Sequence, residues 1–254
     1  MAHPLVLMWH GFGRRTSEQD PYNLFVDEDA FARQLAHLRS RGSTFLDLDG
    51  FLEGLRSRQW PRRSVLVTID DAYTSTLDVA APRLRDAGIP ALLFVPSARL
   101  GRTSDWMPEM SHETLLSASQ LANLPAYGIE VGVHGLDHTL LPGLAPDELR
   151  RHVEDAREQL AHVLGVRPRC FAYPEGKHDA AARDAVRDAG YDVAFSVHEA
   201  GGRWAVPRID VNGSDTERTF ALKCTRWWPV AARVAAATPR LRRLAHRIIG
   251  SARR

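Results

Sequence analysis

Residues 64–95 read SVLVTIDDAYTSTLDVAAPRLRDAGIPALLFV. Ser64–Ile69 is an unbroken β-prone run, of the length and character of a strand buried on both faces. Ser75–Ala87 has helical spacing and stops at Gly88, the residue type that a left-handed helix end favours. Ala91–Val95 is a second buried run. Strand, helix and strand in close succession make a βαβ unit, with parallel strands and a right-handed crossover.

The same alternation extends outward in both directions. Leu5–Trp9 and Thr44–Leu48 read as short strands, separated by a helix with Phe31, Leu35 and Leu38 on one face. Asp27 caps that helix and Gly42 lies near its end. A short helix is expected around Phe51–Leu55. Ile129–Val133, Cys170–Tyr173 and Val193–Ser196 are further strands, and Val206–Val211 is the last. Helices are expected at Asp147–Leu164, opened by Pro146 and closed by Gly165, and at Asp179–Ala189, closed by Gly190. Thr216–Lys223 ends the series. The pattern implies an α/β fold, either an open doubly wound sheet or a barrel. With no internal repeat or linker, residues 1–223 read as one domain and residues 224–254 as a tail. The one long loop, Pro96–Ser111, contains Gly101, Trp106 and Pro108, and loops of this length are more often functional than idle.

Composition excludes several classes. The chain has 254 residues, 44% hydrophobic and 25% charged, which are globular proportions. Two cysteines, Cys170 and Cys224, are too few for a disulfide framework or a four-cysteine zinc site. No apolar run reaches the length of a membrane span, and MAHPLVLMWHGFG lacks the basic start and cleavage site of a signal peptide. The expected location is cytoplasmic, with reduced thiols. The formal net charge of +2 hides an asymmetry: every acidic residue lies at or before Glu217, whereas residues 218–254 carry ten Lys or Arg. An acidic body with a basic tail suits contact between the tail and an anionic surface, and argues against a nucleic-acid cleft.

Chemistry gathers where the strands end. His10 follows the first strand, Asp70 and Asp71 follow SVLVTI, and His134 follows IEVGV with His138 four residues on. Tyr173, Pro174 and Glu175 follow CFA. Parallel α/β folds turn the carboxyl ends of their strands to one side, so carboxylates and imidazoles converge on one rim. The Asp70-Asp71 pair has two readings: Asp71 caps the helix that follows, or the two carboxylates split roles, one binding a cation and the other serving as a general base. The HxxxH pair is either a set of surface histidines or two ligands of a two-His-one-carboxylate site.

Together VTIDDAY, VGVHGLDHTLL and FAYPEGKHD resemble the first three motifs of the polysaccharide deacetylases (carbohydrate esterase family 4, NodB-like). LMWHGFG and DPYNLFVDEDAFARQLAHLRSRG are similar to the opening of the exopolysaccharide branch. The resemblance implies a distorted (β/α) barrel and a metal-dependent hydrolase that removes the N-acetyl group from an N-acetylated amino sugar. It implies a divalent metal, most often zinc, with cobalt, nickel or manganese as alternatives. Asp71, His134 and His138 would be its ligands and Asp70 the general base. A backbone N–H at Glu175, within the Tyr173-Pro174-Glu175 stretch, would face the oxyanion.

Two motifs depart from the family pattern. Gly135 stands where Ser or Thr is common, at the expected cost of a ligand-orienting hydrogen bond. Ala172-Tyr173-Pro174-Glu175 lacks the family's Arg, and Arg208, after a late strand, is the candidate replacement. The motif carrying the catalytic acid is not evident; His10 is preferred over His198. Trp106 either stacks on a sugar or anchors its loop. In the tail, Trp227, Trp228, Leu241, Leu244 and Ile248 interleave with arginines, which fits either an anionic membrane surface, peripheral at the inner membrane, or packing on the barrel. A deformylase of a polyprenyl-linked sugar and an inactive sugar-binding barrel are the competing functions.

Overall fold

The computed structural model describes residues 4–197, 200–225 and 228. They fall into two compact units, divided between Gly213 and Ser214. His198 and nearly all of the basic tail lie outside the described residues. Among those described, no helix is long and apolar enough to cross a membrane.

The first unit is built on β5 (Ser64–Ile69), buried along its whole length. It pairs in parallel with β1 (Leu5–Trp9), Leu5 opposite Val65 through Trp9 opposite Ile69. Its other edge carries the short β4 (Thr44–Leu46) and then β6 (Ala91–Val95). The sheet continues, all parallel, through β7 (Ile129–Val133), β8 (Cys170–Ala172) and β9 (Val193–Ser196).

The expected last strand, Val206–Val211, is divided. Val206–Pro207 (β10) pairs with β9, whereas Ile209–Asp210 (β11) pairs with β1 at the opposite end of the sheet. Arg208 sits between them, its N–H donating to Ser196 O at 3.0 Å, and Val211 N–H reaches Met8 O at 2.8 Å. One segment therefore touches both edges of the sheet, and the barrel is nearly closed with one unsealed seam. Pro207 has no N–H to give a ladder and belongs at such an edge.

Alternation along the strands decides what fills the barrel. Val6, Leu66, Leu92, Phe94, Cys170, Ala172, Val193 and Phe195 form one buried cluster. Gly132 of β7 faces the same space: a Cβ there would lie 2.6 Å from the Phe94 ring and 2.7 Å from Cys170 Sγ. Helix α2 (Leu48–Ser57) adds Leu48 and Phe51 to this cluster. It is longer than the Phe51–Leu55 turn expected, because Asp47 caps it by accepting from Gly50 N–H.

Helix α1 (Glu28–Ser40) is capped by Asp27 and buries Phe31, Gln34, Leu35 and Leu38. The Trp9 indole N–H donates to Gln34 Oε1 at 3.0 Å, so Trp9 is a core residue on this outer layer. Two expected helices contain a widened turn. Thr76–Ala80 is a π-turn leading into α3 (Ala81–Ala87), and Arg151–Asp155 is another between α4 (Pro146–Arg150) and α5 (Ala156–Leu164). Helix α6 (Ala180–Asp188) starts at its cap, Asp179. In the second unit, Thr216 caps α7 (Glu217–Lys223), and Lys223 pairs with Asp215 at 2.6 Å.

Candidate active site

The inward series of three strands runs on past their ends. Leu66, Thr68 and Asp70 are two residues apart, as are Gly132 and His134, and Val6 leads by the same step to His10. The rim turns then depart from ordinary backbone. Asp71, Ala72, Gly135, His138, Glu175 and Gly176 all have positive φ, between 53° and 75°. Non-glycine residues held there carry strain, and such strain clusters at functional sites. Gly135 is explained by its φ of 75°, a conformation Ser or Thr would resist.

Asp71, His134 and His138 come together so that one ligand atom of each lies within 4.8 Å of the others. His134 Nε2 is 3.6 Å and His138 Nε2 3.4 Å from Asp71 Oδ1. Asp71 Oδ1 is buried with no hydrogen-bond partner. Asp71 caps no helix: the next helical turn begins at Thr76. His134 Nδ1 lies 2.7 Å from Ala172 O. A carbonyl only accepts, so Nδ1 carries the proton and Nε2 keeps its lone pair turned towards Asp71. The orienting bond expected to be lost at Gly135 is thus supplied by the β8 backbone.

Electrostatics agree with a cation site. Burial pushes the His134 pKa down to about 4, outweighing the pull of Asp70 and Asp71, so the ring is neutral near pH 7. Burial alone would raise the Asp71 carboxyl, but His138, His10 and His134 hold it well below the usual carboxylate range. The neutral His134 imidazole and an ionised, unpartnered Asp71 oxygen, with His138 Nε2 facing that oxygen, fit a divalent ion with an open position.

Asp70, also buried, donates its N–H to Trp9 O at 2.9 Å. Its two oxygens accept from Arg208 Nη1 at 2.6 Å and Nη2 at 2.7 Å. Arg208 lies 5.3 Å over the Phe94 ring, and its Nη1 reaches Thr68 Oγ1 at 3.4 Å. Burial raises the Asp70 carboxyl, but Arg208 and His134 prevail and hold it below its ordinary value. His10 is half-buried; its Nδ1 has no hydrogen-bond partner, and its charge acts on both aspartates.

The remaining candidates divide. Trp106 stacks on His138, ring centroids 4.7 Å apart and 13° from parallel. Tyr173 is fully buried, its hydroxyl donating to Trp204 O at 2.8 Å, so its side chain is committed to the core. Pro174 is buried beside Gly135. Glu175 is exposed and pairs with Lys177 at 2.6 Å. Motif reading does not single out Thr68, Phe94 and Ala172 O; period-two alternation from Asp70 and Pro96 points to the first two, whereas a backbone carbonyl leaves no mark in a sequence.

Residues 57–194, more than half of the chain, match the family model described as polysaccharide deacetylase. The chain belongs to the polysaccharide deacetylase family. Its relatives include a poly-beta-1,6-N-acetyl-D-glucosamine N-deacetylase of Staphylococcus epidermidis, 25% identical over 210 residues that cover 77% of this chain and 71% of the relative. The solved Streptococcus pyogenes deacetylase PplD in complex with acetate has the same fold (TM-score 0.76, 21% identity, 87% of this chain and 97% of that one). IcaB from Ammonifex degensii is similar at TM-score 0.72 and 26% identity, over 87% of this chain and 95% of that one. As a member of this family with the Asp71, His134 and His138 set in place, the protein is a metal-dependent hydrolase of an amide C–N bond, acting on an N-acetylated sugar.

Proposed function

We propose that the protein removes the acetyl group from N-acetylated glucosamine units in a polysaccharide or related glycan, releasing acetate and a free amine. The named activity of the Staphylococcus relative supports that substrate class. The observation that carries the chemistry is the buried, unpartnered Asp71 Oδ1 facing His134 and His138. Zinc is the ion we assign, since two imidazoles and a carboxylate with an open position are its common catalytic set. Held there, the ion would polarise the amide carbonyl and acidify the attacking water.

The chain's own groups do the rest. Asp70 accepts a proton from the attacking water through lone pairs that Arg208 leaves unused; a carboxylate oxygen has two. Arg208 fixes the plane of that carboxylate and keeps it ionised, so the base is ready without competing for a second proton. The backbone N–H of Glu175, in the left-handed turn after β8, donates to the developing oxyanion. His10, at the end of β1 on the strand next to Asp70 and without a hydrogen-bond partner on Nδ1, delivers the proton that the leaving amine needs. Incubation of the zinc-loaded protein with a β-1,6-linked N-acetylglucosamine oligomer, with acetate assayed enzymatically, tests the reading. Acetate and free amine in equal amounts are expected; neither appearing, across linkages, would refute the substrate class.

A further inference from the structure

Trp106 and His138 are held together by their faces alone. The rings lie 4.7 Å apart and 13° from parallel, while the Trp106 indole N–H is buried with no acceptor. A buried tryptophan ordinarily finds a partner for that N–H; here the ring's position is decided by packing. Its packing is firm. Trp106 and Met107 lie against a cluster of Phe25, Tyr73, Met110 and Leu115. The loop that bears them is bonded back to the turn after β5 by Leu116 N–H to Ala72 O at 2.8 Å and Thr74 N–H to Thr114 O at 3.0 Å. Arg15 grips Glu113 with two nitrogens, at 2.5 and 3.0 Å.

The two histidines are oriented by different means. His134 is fixed by a hydrogen bond from Nδ1 to Ala172 O. His138, at a left-handed φ of 72°, makes no hydrogen bond through Nδ1 among the described residues; its ring stacks on Trp106 and stands T-shaped to the His134 ring, centroids 5.0 Å apart. Metal-ligating histidines usually have an outer partner that sets the ring, and losing it weakens metal binding. An electron-rich indole face can replace that hydrogen bond. It restrains rotation of the imidazole, and it favours the electron-poor ring that results when Nε2 gives its lone pair to a cation.

We propose that Trp106 is a positioning residue of the metal site, holding His138 in its ligating orientation, and that it is not a platform for the sugar. The inference rests on the metal reading above. Its test measures Zn2+ affinity of the metal-free full-length protein by competition with a chromophoric chelator, alongside activity on a β-1,6-linked N-acetylglucosamine oligomer. Trp106→Leu, which keeps apolar bulk but has no aromatic face, should bind Zn2+ ~10- to 100-fold more weakly. Trp106→Phe should recover most of that loss. Activity of Trp106→Leu should fail at limiting Zn2+ and return with excess, with KM unchanged. In the wild type, Zn2+ should alter a tryptophan emission component that is missing from Trp106→Phe. Equal Zn2+ affinity in Trp106→Leu and wild type would overturn the proposal, as would a raised KM that excess Zn2+ does not correct. A wild type that takes up no Zn2+ would instead sink the metal reading itself, which separates the two failures.

Discussion

Arg208 and Asp70 form a two-pronged pair, Nη1 to Oδ1 at 2.6 Å and Nη2 to Oδ2 at 2.7 Å, with the guanidinium completely covered. The arginine comes from the segment that spans the barrel seam, between the residues paired with β9 and those paired with β1. Closing the barrel and orienting the carboxylate are therefore one structural event. The family's arginine is missing from its usual place before Pro174, and the same charge reaches the base from the junction between β10 and β11.

Replacing that arginine should separate geometry from charge. Arg208→Lys keeps a cation but cannot match a carboxylate with two parallel bonds, so kcat should fall by about 100-fold or more. Arg208→Met leaves Asp70 buried and unpaired, a change that costs about 3–5 kcal/mol in stability. Thermal denaturation beside kinetics checks both. Near-normal turnover in Arg208→Lys would show that the bidentate geometry is dispensable.

Substituting His10 should affect chemistry more than folding, because its Nδ1 has no hydrogen-bond partner to lose. His10→Ala should lower kcat by about 100-fold or more on amide substrates, with little change in melting temperature. An activated acetate ester, whose leaving group needs no proton, should be far less affected. Equal losses on amide and ester would remove His10 from the acid role.

Acid should destabilise the metal-free protein through His134. Burial holds its pKa at about 4 in the folded state, against an unfolded value near 6.5. The unfolded chain therefore binds the extra proton first as pH falls. Stability from this group is full above about pH 6.5 and declines towards pH 4, by roughly 3 kcal/mol at most. Asp70, with its folded pKa depressed, adds a loss at still lower pH. Urea denaturation of metal-free wild type and His134→Gln across pH 4–7 checks this. The variant's profile should be flatter between pH 4 and 6.5, and parallel profiles would contradict the assignment.

Much of this site is legible in the sequence because strand alternation is rigid. Once SVLVTI is a buried strand, Asp70 continues the series of Leu66 and Thr68, and His134 follows from Gly132 in the same way. Other features depend on contacts far apart in the chain. Nothing in VPRIDV tells that Pro207 and Ile209 pair with opposite ends of the sheet, since either half alone reads as part of one strand. The π-turns at Thr76–Ala80 and Arg151–Asp155 leave helical periodicity nearly intact. In the sequence Trp106 fits a sugar platform and a loop anchor equally, because an indole has the same signature in both; its stacking on His138 appears only when the loop is folded over the rim.

The most direct test of the central claim is elemental analysis of the purified protein beside Asp71→Ala and His134→Ala. One equivalent of zinc, or of a similar divalent ion, is expected in the wild type. Both variants should lack it while keeping the far-ultraviolet circular dichroism of the folded barrel. A wild type that holds no metal even after reconstitution with Zn2+, or variants that hold it as well as the wild type, would contradict the account.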